Sequence, residues 1–355
     1  MRNCLQCKQC QKILKIGYNQ NIDLIILPSN PMNLQKLLYF THNVIGPFLQ
    51  SLMNLTKLKI FANSYFSSLA RLTNLRNLLD LELGLRNRPV NTFDFSYFPN
   101  LTRLKSVNED VSIKNLSILT GLRNLFFRGV LESADDLQIL TNITKLDIKD
   151  NHIIKDLNYL TNLKYLSAYF CSSLVETALC QLNRMIKLDI SNNSNITQLS
   201  NMTNLQSLII RGPYCQISDN ELAKLTTLHT LDITGNSMVN DINNLTKLTQ
   251  LKVGEWSSLS TKGLTNLTNI RLLYMSLDTH ILNINHMTNI ERLHINGSEL
   301  PDDGFTNLKN VTWLVCELYT NIRVINNMPK LKFLRAVYDP WNMARRLSPK
   351  IFIQY

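Results

Sequence analysis

The chain has 355 residues, 45% of them hydrophobic, with 11 glycines and 10 prolines. This supplies material for a sizeable core and excludes collagen-like and disordered compositions. The net charge of +11 is uneven: residues 1–128 carry 16 Lys/Arg against 6 Asp/Glu, and residues 129–355 carry 21 against 20. A basic end suits an acidic protein, a nucleic acid or an anionic membrane surface, and equally a solvated face in a lysine-rich proteome.

Residues 1–33 begin with "MRNCLQCKQCQKILKIGY", which has no apolar core of the kind a secretory signal needs, and no stretch, "IDLIILP" included, approaches the roughly 18 apolar residues that span a bilayer. Seven scattered cysteines fit reduced thiols better than a disulfide framework. An intracellular, cytoplasmic location is therefore expected. Cys4, Cys7 and Cys10 form C-x-x-C-x-x-C. Zinc usually takes two such pairs; the second is missing, with His42 the nearest further candidate, so no metal and no cofactor is expected. This segment reads as an N-terminal cap or flexible arm.

From Leu34 a phrase returns: apolar-x-x-Leu-x-apolar. Its first position falls at Leu34, Leu55, Leu78, Leu101, Leu122, Ile143, Leu163, Met185, Leu205, Leu228, Leu248, Ile270, Ile290, Val311 and Leu331, in steps of 20 to 23 residues. From Ile143 short and long steps alternate, which makes two copies, about 42 residues, the larger unit. Within "KLDIKDN", Leu146 and Ile148 point one way from a short strand while Lys145, Asp147 and Lys149 point the other. Parallel pairing of successive copies stacks the apolar positions into one core, because each copy cannot bury its apolar face alone. Asparagine, about 12% of the chain, recurs where the strand ends, at Asn63, Asn151, Asn193 and Asn236. There its amide can satisfy loop backbone groups. Other copies hold Cys171, Pro213, Trp256 or Tyr319 at that place.

The pattern resembles the leucine-rich repeat family, L-x-x-L-x-L-x-x-N, over roughly residues 31–340. Short copies such as "NHIIKDLNYLTNLKYL" are similar to those of internalins and of a phosphatase regulatory subunit. Longer ones such as "QISDNELAKLTTL" and "SLSTKGLTNLTNI" are similar to the helix-bearing repeats of F-box adaptors. The resemblance implies an α/β solenoid, a horseshoe with a parallel sheet on its concave face and short helices or turns on its convex face. The solenoid is expected over residues 34–339, as about 15 repeats, with a C-terminal cap at 340–355 in which Trp341, Phe352 and Ile353 cover the last layer. "SDNELAKLTT" predicts a helix with Ser218 as N-cap and Glu221 completing a capping box.

No catalytic motif stands out. Asp147, Asp189 and Asp232 share a column in alternate copies, but such aspartates are ordinary solvated strand residues in this pattern. His294 reads as a polar surface residue. Ten or so N-x-S/T sequons, mostly by-products of "N-L-T", are expected to stay bare.

The outward strand positions give a mixed strip. Its basic end holds Lys57, Lys59, Arg103, Lys105 and Arg128, interrupted by Asp80 and Glu82, and beyond it come Phe126, Tyr165, Tyr169, Tyr274, Arg292, Trp313 and Arg335. Exposed aromatics with arginines are what protein hot spots use. The expected function is a non-catalytic, monomeric interaction module that grips an unknown protein on its concave face. Two alternatives follow: the substrate-recognition arm of a ubiquitin ligase, in contact with its other subunits, as the F-box likeness implies, and binding of nucleic acid or an anionic membrane through the basic end.

Overall fold

The computed structural model describes residues 13–16, 34–41, 52–62, 72–85, 91–106, 111–128, 130–131, 133–276, 280–296, 300–316, 324–325, 327–336 and 352–354. They fall into two compact units, Met1–Ser173 and Leu174–Tyr355. The readings that rest on Cys4, Cys7, Cys10, His42, Asn63, Tyr319 and Trp341 lie outside the described residues.

In the first unit the chain runs through β1 (Ile13–Ile16), β2 (Lys36–Thr41), β3 (Lys57–Ala62), β4 (Asp80–Leu85), β5 (Asn91–Asp94), β6 (Arg103–Ser106), β7 (Val111–Lys114), β8 (Asn124–Phe127), β9 (Val130–Leu131), β10 (Lys145–Asp147) and β11 (Tyr165–Ser167). Strands β1, β2, β3, β4, β6, β8, β10 and β11 pair in that order, all parallel. On the opposite side β5, β7 and β9 make a second parallel sheet with Phe93, Ile113 and Leu131 buried. The sequence predicts helices or irregular turns there. "NTFD" and "VSIK" alternate like strands instead, and Asn115 and Ser96 both donate to the Asp94 carboxylate at 2.9 Å to fix the turn between coils.

In the second unit β12 (Lys187–Asp189), β13 (Ser207–Ile209), β14 (Thr230–Asp232), β15 (Gln250–Val253), β16 (Leu272–Ser276), β17 (Arg292–Asn296), β18 (Trp313–Cys316), β19 (Phe333–Ala336) and β20 (Phe352–Gln354) pair in chain order, again all parallel. The pairing is in phase with the repeat: Leu188, Leu208, Leu231, Leu251, Leu273, Leu293, Leu314 and Leu334 are partners in register, each at most 1% exposed. Each such side chain contributes roughly 1.5–3 kcal/mol on burial.

Two side-chain ladders tie coil to coil. The first follows the strand ends. Cys171 Sγ donates to the Ile148 carbonyl at 2.9 Å, Cys215 Sγ to Ile190 at 3.4 Å, and Asn236 Nδ2 to Ile210 at 2.9 Å. Asn151 Oδ1 accepts from the backbone of Ile153 and Ile154, both at 3.0 Å, and Asn236 Oδ1 from Met238 at 2.8 Å. Asn193 is buried in the same place. Pro213 and Trp256, expected here, are displaced by Cys215 and Ser257. In this column the backbone N–H bonds back three residues, as Asn151, Asn193, Asn236 and Ser257 do, and Pro213 has no N–H to give. Trp256 has φ 58°, the left-handed conformation of the preceding place, occupied elsewhere by Asp150, Phe170, Asn192 and Gly235. Gly212, which precedes Pro213, is also left-handed at φ 85°, a conformation that favours glycine there.

The second ladder explains the abundant "N-L-T". In Asn100-Leu-Thr102, Asn100 Nδ2 donates to the Arg76 carbonyl at 2.9 Å and Thr102 Oγ1 to Leu79 at 3.1 Å. The triplets at Asn142 and Asn310 repeat this. These sequons arise from coil-to-coil hydrogen bonding.

The side opposite the main sheet alternates as the step lengths foretell. Long copies of the second unit each carry one helical turn: Glu176–Leu179, α1 (Asp219–Leu222), Thr261–Leu264 and Asp302–Phe305, of which α1 alone is α and the rest 3₁₀. Short copies such as 196–205 carry none. Ser218 caps α1, accepting from the Glu221 N–H at 3.4 Å, but Glu221 does not close the capping box: its carboxylate accepts from Leu199 N–H in the preceding coil at 3.1 Å. In the last two turns the third residue, Gly263 or Gly304, lies hard against the coil before it. At Gly263 a Cβ would stand 2.1 Å from the Asn240 carbonyl oxygen.

Two substitutions test these contacts by urea unfolding. Asn236→Ala should cost about 1–3 kcal/mol by orphaning buried backbone groups, and Asn236→Cys less, since cysteine fills the same place at 171 and 215. Gly263→Ala should cost about 1–3 kcal/mol, since the backbone of the neighbouring coil must give way.

Candidate protein-interaction face

Alternate strand residues face away from the core, and in each unit their in-register pairing sets them in columns. In the first unit Lys57, Asp80 and Arg103 share one column and Lys59, Glu82 and Lys105 the next. Lys57 reaches Asp80 at 2.6 Å and Lys59 reaches Glu82 at 2.5 Å. From the other side Arg103 meets Asp80 at 2.6 Å and Glu82 at 3.7 Å, and Lys105 meets Glu82 at 2.8 Å. Asp80 and Glu82 therefore do not merely interrupt a basic strip; they hold these four cations in a lattice that keeps a positive excess. Burial pushes the Glu82 carboxyl up, but hydrogen bonds and charge from Lys105 and Lys59 outweigh it and hold the group at about 2, below its ordinary 4.5.

The Arg103 guanidinium lies over the Phe126 ring, 5.5 Å from its centre, and Lys145 Nζ lies 4.7 Å from the centre of the Tyr165 ring. Tyr165 is 36% exposed; Phe126, Arg128 and Tyr169 are half-buried. Tyr169 rests 6.2 Å from Phe170, an exposed ring carried on a left-handed backbone.

In the second unit the columns across β16–β19 read Leu272, Arg292, Trp313, Phe333 and Tyr274, His294, Val315, Arg335. Trp313 and Phe333 stack with centres 3.7 Å apart, and Arg292 approaches Trp313 from its other flank at 6.0 Å. Tyr274 and His294 stack at 4.1 Å. His294 is thus a half-buried partner in a ring pair rather than a plain surface residue, and burial, then Arg335, push its pKa down. Toward the start of this unit Arg211 and Lys252 flank the buried carboxylate of Asp232, at 2.5 and 3.9 Å.

The aspartate column is structural. Asp147, Asp189 and Asp232 each accept the backbone N–H two residues on, at 3.3, 3.1 and 3.3 Å, bracing the turn that leaves the strand. Asp232 is 2% exposed, so the expectation of a solvated residue does not hold there. Burial pushes the Cys171 and Cys215 thiols up to about 12 and about 11, which keeps them protonated as ladder donors. Among the described residues no three metal-ligating side chains cluster, and no helix is long and apolar enough to cross a membrane.

The Glu82 geometry gives a pH signature. Its folded pKa is depressed, so its stabilisation is present above about 4.5 and is lost as pH falls from there toward about 2. Urea unfolding at stepped pH should show a steeper loss over that window in the native chain than in Glu82→Gln.

No protein-family model and no curated protein matches the chain. Solved structures do. An internalin, InlF, of Listeria monocytogenes is 23% identical with a TM-score of 0.59 over 81% of this chain and 88% of that one. The functional domain of InlJ from the same organism, which includes a cysteine ladder, is 20% identical with a TM-score of 0.55 over 81% and 69%. A leucine-rich repeat protein of Leptospira interrogans is 18% identical with a TM-score of 0.53 over 91% and 90%. At such identities the likeness speaks to the fold, and it agrees with the repeat phrase, the parallel sheets and the buried asparagine turns. The chain has the leucine-rich repeat fold, a parallel-β solenoid in each of its two units.

Proposed function

We propose that the protein is a non-catalytic, monomeric binding module that takes a protein partner on the outward, concave face of its strands, inside the cell where its ladder thiols stay reduced. The observation that carries this reading is Trp313. It is 42% exposed on a regular sheet, stacked on Phe333 and flanked by Arg292. A large ring held in one orientation loses little entropy on binding, and tryptophan, tyrosine and arginine dominate hot spots. Tyr165 beside Lys145 is a smaller example in the first unit. The reading through nucleic acid or an anionic membrane is less well supported, because Asp80 and Glu82 already engage Lys57, Lys59, Arg103 and Lys105. A ubiquitin-ligase role finds no specific support, since the long copies hold one four-residue turn where longer helices would strengthen the F-box likeness.

Affinity capture from an extract of the source cells tests the reading. Trp313→Ala, or Tyr165→Ala with Tyr169→Ala, should reduce recovery of a captured protein at least about tenfold, a loss of about 1.4 kcal/mol. Equal recovery by both variants rejects the outward strand face as the binding surface.

A further inference from the structure

We propose that the outward face of β16–β19 docks an extended acidic peptide, with two carboxylates about four residues apart on Arg292 and Arg335 and an apolar side chain between them against the ring edges. This rests on the interaction reading and names the chemistry of the partner.

Three observations lead there. The rings are stacked on one another, Trp313 on Phe333 at 3.7 Å and Tyr274 on His294 at 4.1 Å. Trp313 has Phe333 on one strand beside it and Arg292 on the other, so what it offers a ligand is its edge. A ring edge gives an aliphatic side chain apolar contact, and its partial positive charge adds to the guanidiniums in favouring carboxylates nearby, whereas a nucleobase needs an open face. Next, Arg292 and Arg335 are exposed and, among the described residues, neither has a carboxylate within 4.0 Å, in contrast to Arg211, which is tied to Asp232. Among the described residues, the charged groups facing this patch from adjoining strands are Lys252, which leans to Asp232 at 3.9 Å, and His294 itself; Glu291, just before β17, pairs with Arg271 at 3.5 Å. Lastly, the charge is local. Residues 174–355 hold 17 Lys/Arg against 14 Asp/Glu, a balance that suits a short acidic segment rather than a polyanion.

The spacing follows from the sheet. Arg292 and Arg335 are separated by two strand spacings and stand one outward position apart along the strand, about 12 Å in all from the usual β dimensions. In an extended peptide residues i, i+2 and i+4 share a face and i to i+4 spans about 13 Å. The ligand pattern is therefore acidic-x-apolar-x-acidic. His294 Nδ1 is buried without a hydrogen-bond partner among the described residues, beside Arg335. A carboxylate on Arg335 would favour its protonation, so acidic ligands should bind more tightly as pH falls from 7.5 to 6.

The test is fluorescence anisotropy at low salt with labelled acetyl-Gly-Glu-Ser-Leu-Ser-Glu-Gly-amide, the same peptide with both Glu changed to Lys, and octathymidylate, against the full chain. The glutamate peptide should bind saturably and at least tenfold more tightly than the lysine peptide. Arg292→Gln and Arg335→Gln, both exposed and compatible with folding, should each weaken it several-fold, and His294→Gln should abolish the pH dependence. Equal binding of the two peptides, preference for octathymidylate, or indifference to both arginine variants overturns the proposal. If Trp313→Ala abolishes capture of a cellular protein but the glutamate peptide neither binds nor competes, the interaction reading stands and this inference fails.

Discussion

No coil of this protein can complete itself. Its strand has one apolar side and too few residues to cover it, and its turns leave backbone carbonyls pointing along the stack. Both deficits are met by the next coil: leucines in register close the core, and asparagine, cysteine and threonine side chains reach back to the carbonyls of the coil before. Stability is then a sum of neighbour contacts, and everything on the outer face inherits the spacing those contacts impose.

That spacing decides which surface charges are available. In the first unit it sets Asp80 and Glu82 midway between two rows of cations, so each of the four cations has a carboxylate partner, though a positive excess remains, and the side chains lose freedom together. In the second unit the same lateral step sets ring beside ring across β16–β19, where, among the described residues, no carboxylate reaches Arg292 or Arg335. One geometry thus yields a self-satisfied patch and an unsatisfied one, depending on which residue types fall into register.

Much of the architecture was legible in the residues. The phrase spacing fixed strand positions, register and the core columns, and the alternation of step lengths correctly located the helical turns of the second unit. The turn asparagines could be read because one residue type does one job there. Where two types share the job the eye slips: Cys215 and Ser257 hold the column that spacing assigned to Pro213 and Trp256, and a missing N–H and a left-handed backbone decided the matter. The outer face was legible as a set of positions. What could not be read were the rotamers, which determine that Lys57 and Lys105 are tied to carboxylates and that His294 lies on Tyr274.

The alternation on the back of the second unit also limits how such a chain can change length. A helical turn of a long coil, with Gly263 or Gly304 at its tightest point, packs against the backbone of a short coil that has no turn of its own. Inserting a single coil would set two bulky backs or two thin ones side by side and leave a collision or a void. Inserting two restores every juxtaposition. Duplication in pairs is thus the increment by which this architecture can be extended or shortened without repair elsewhere.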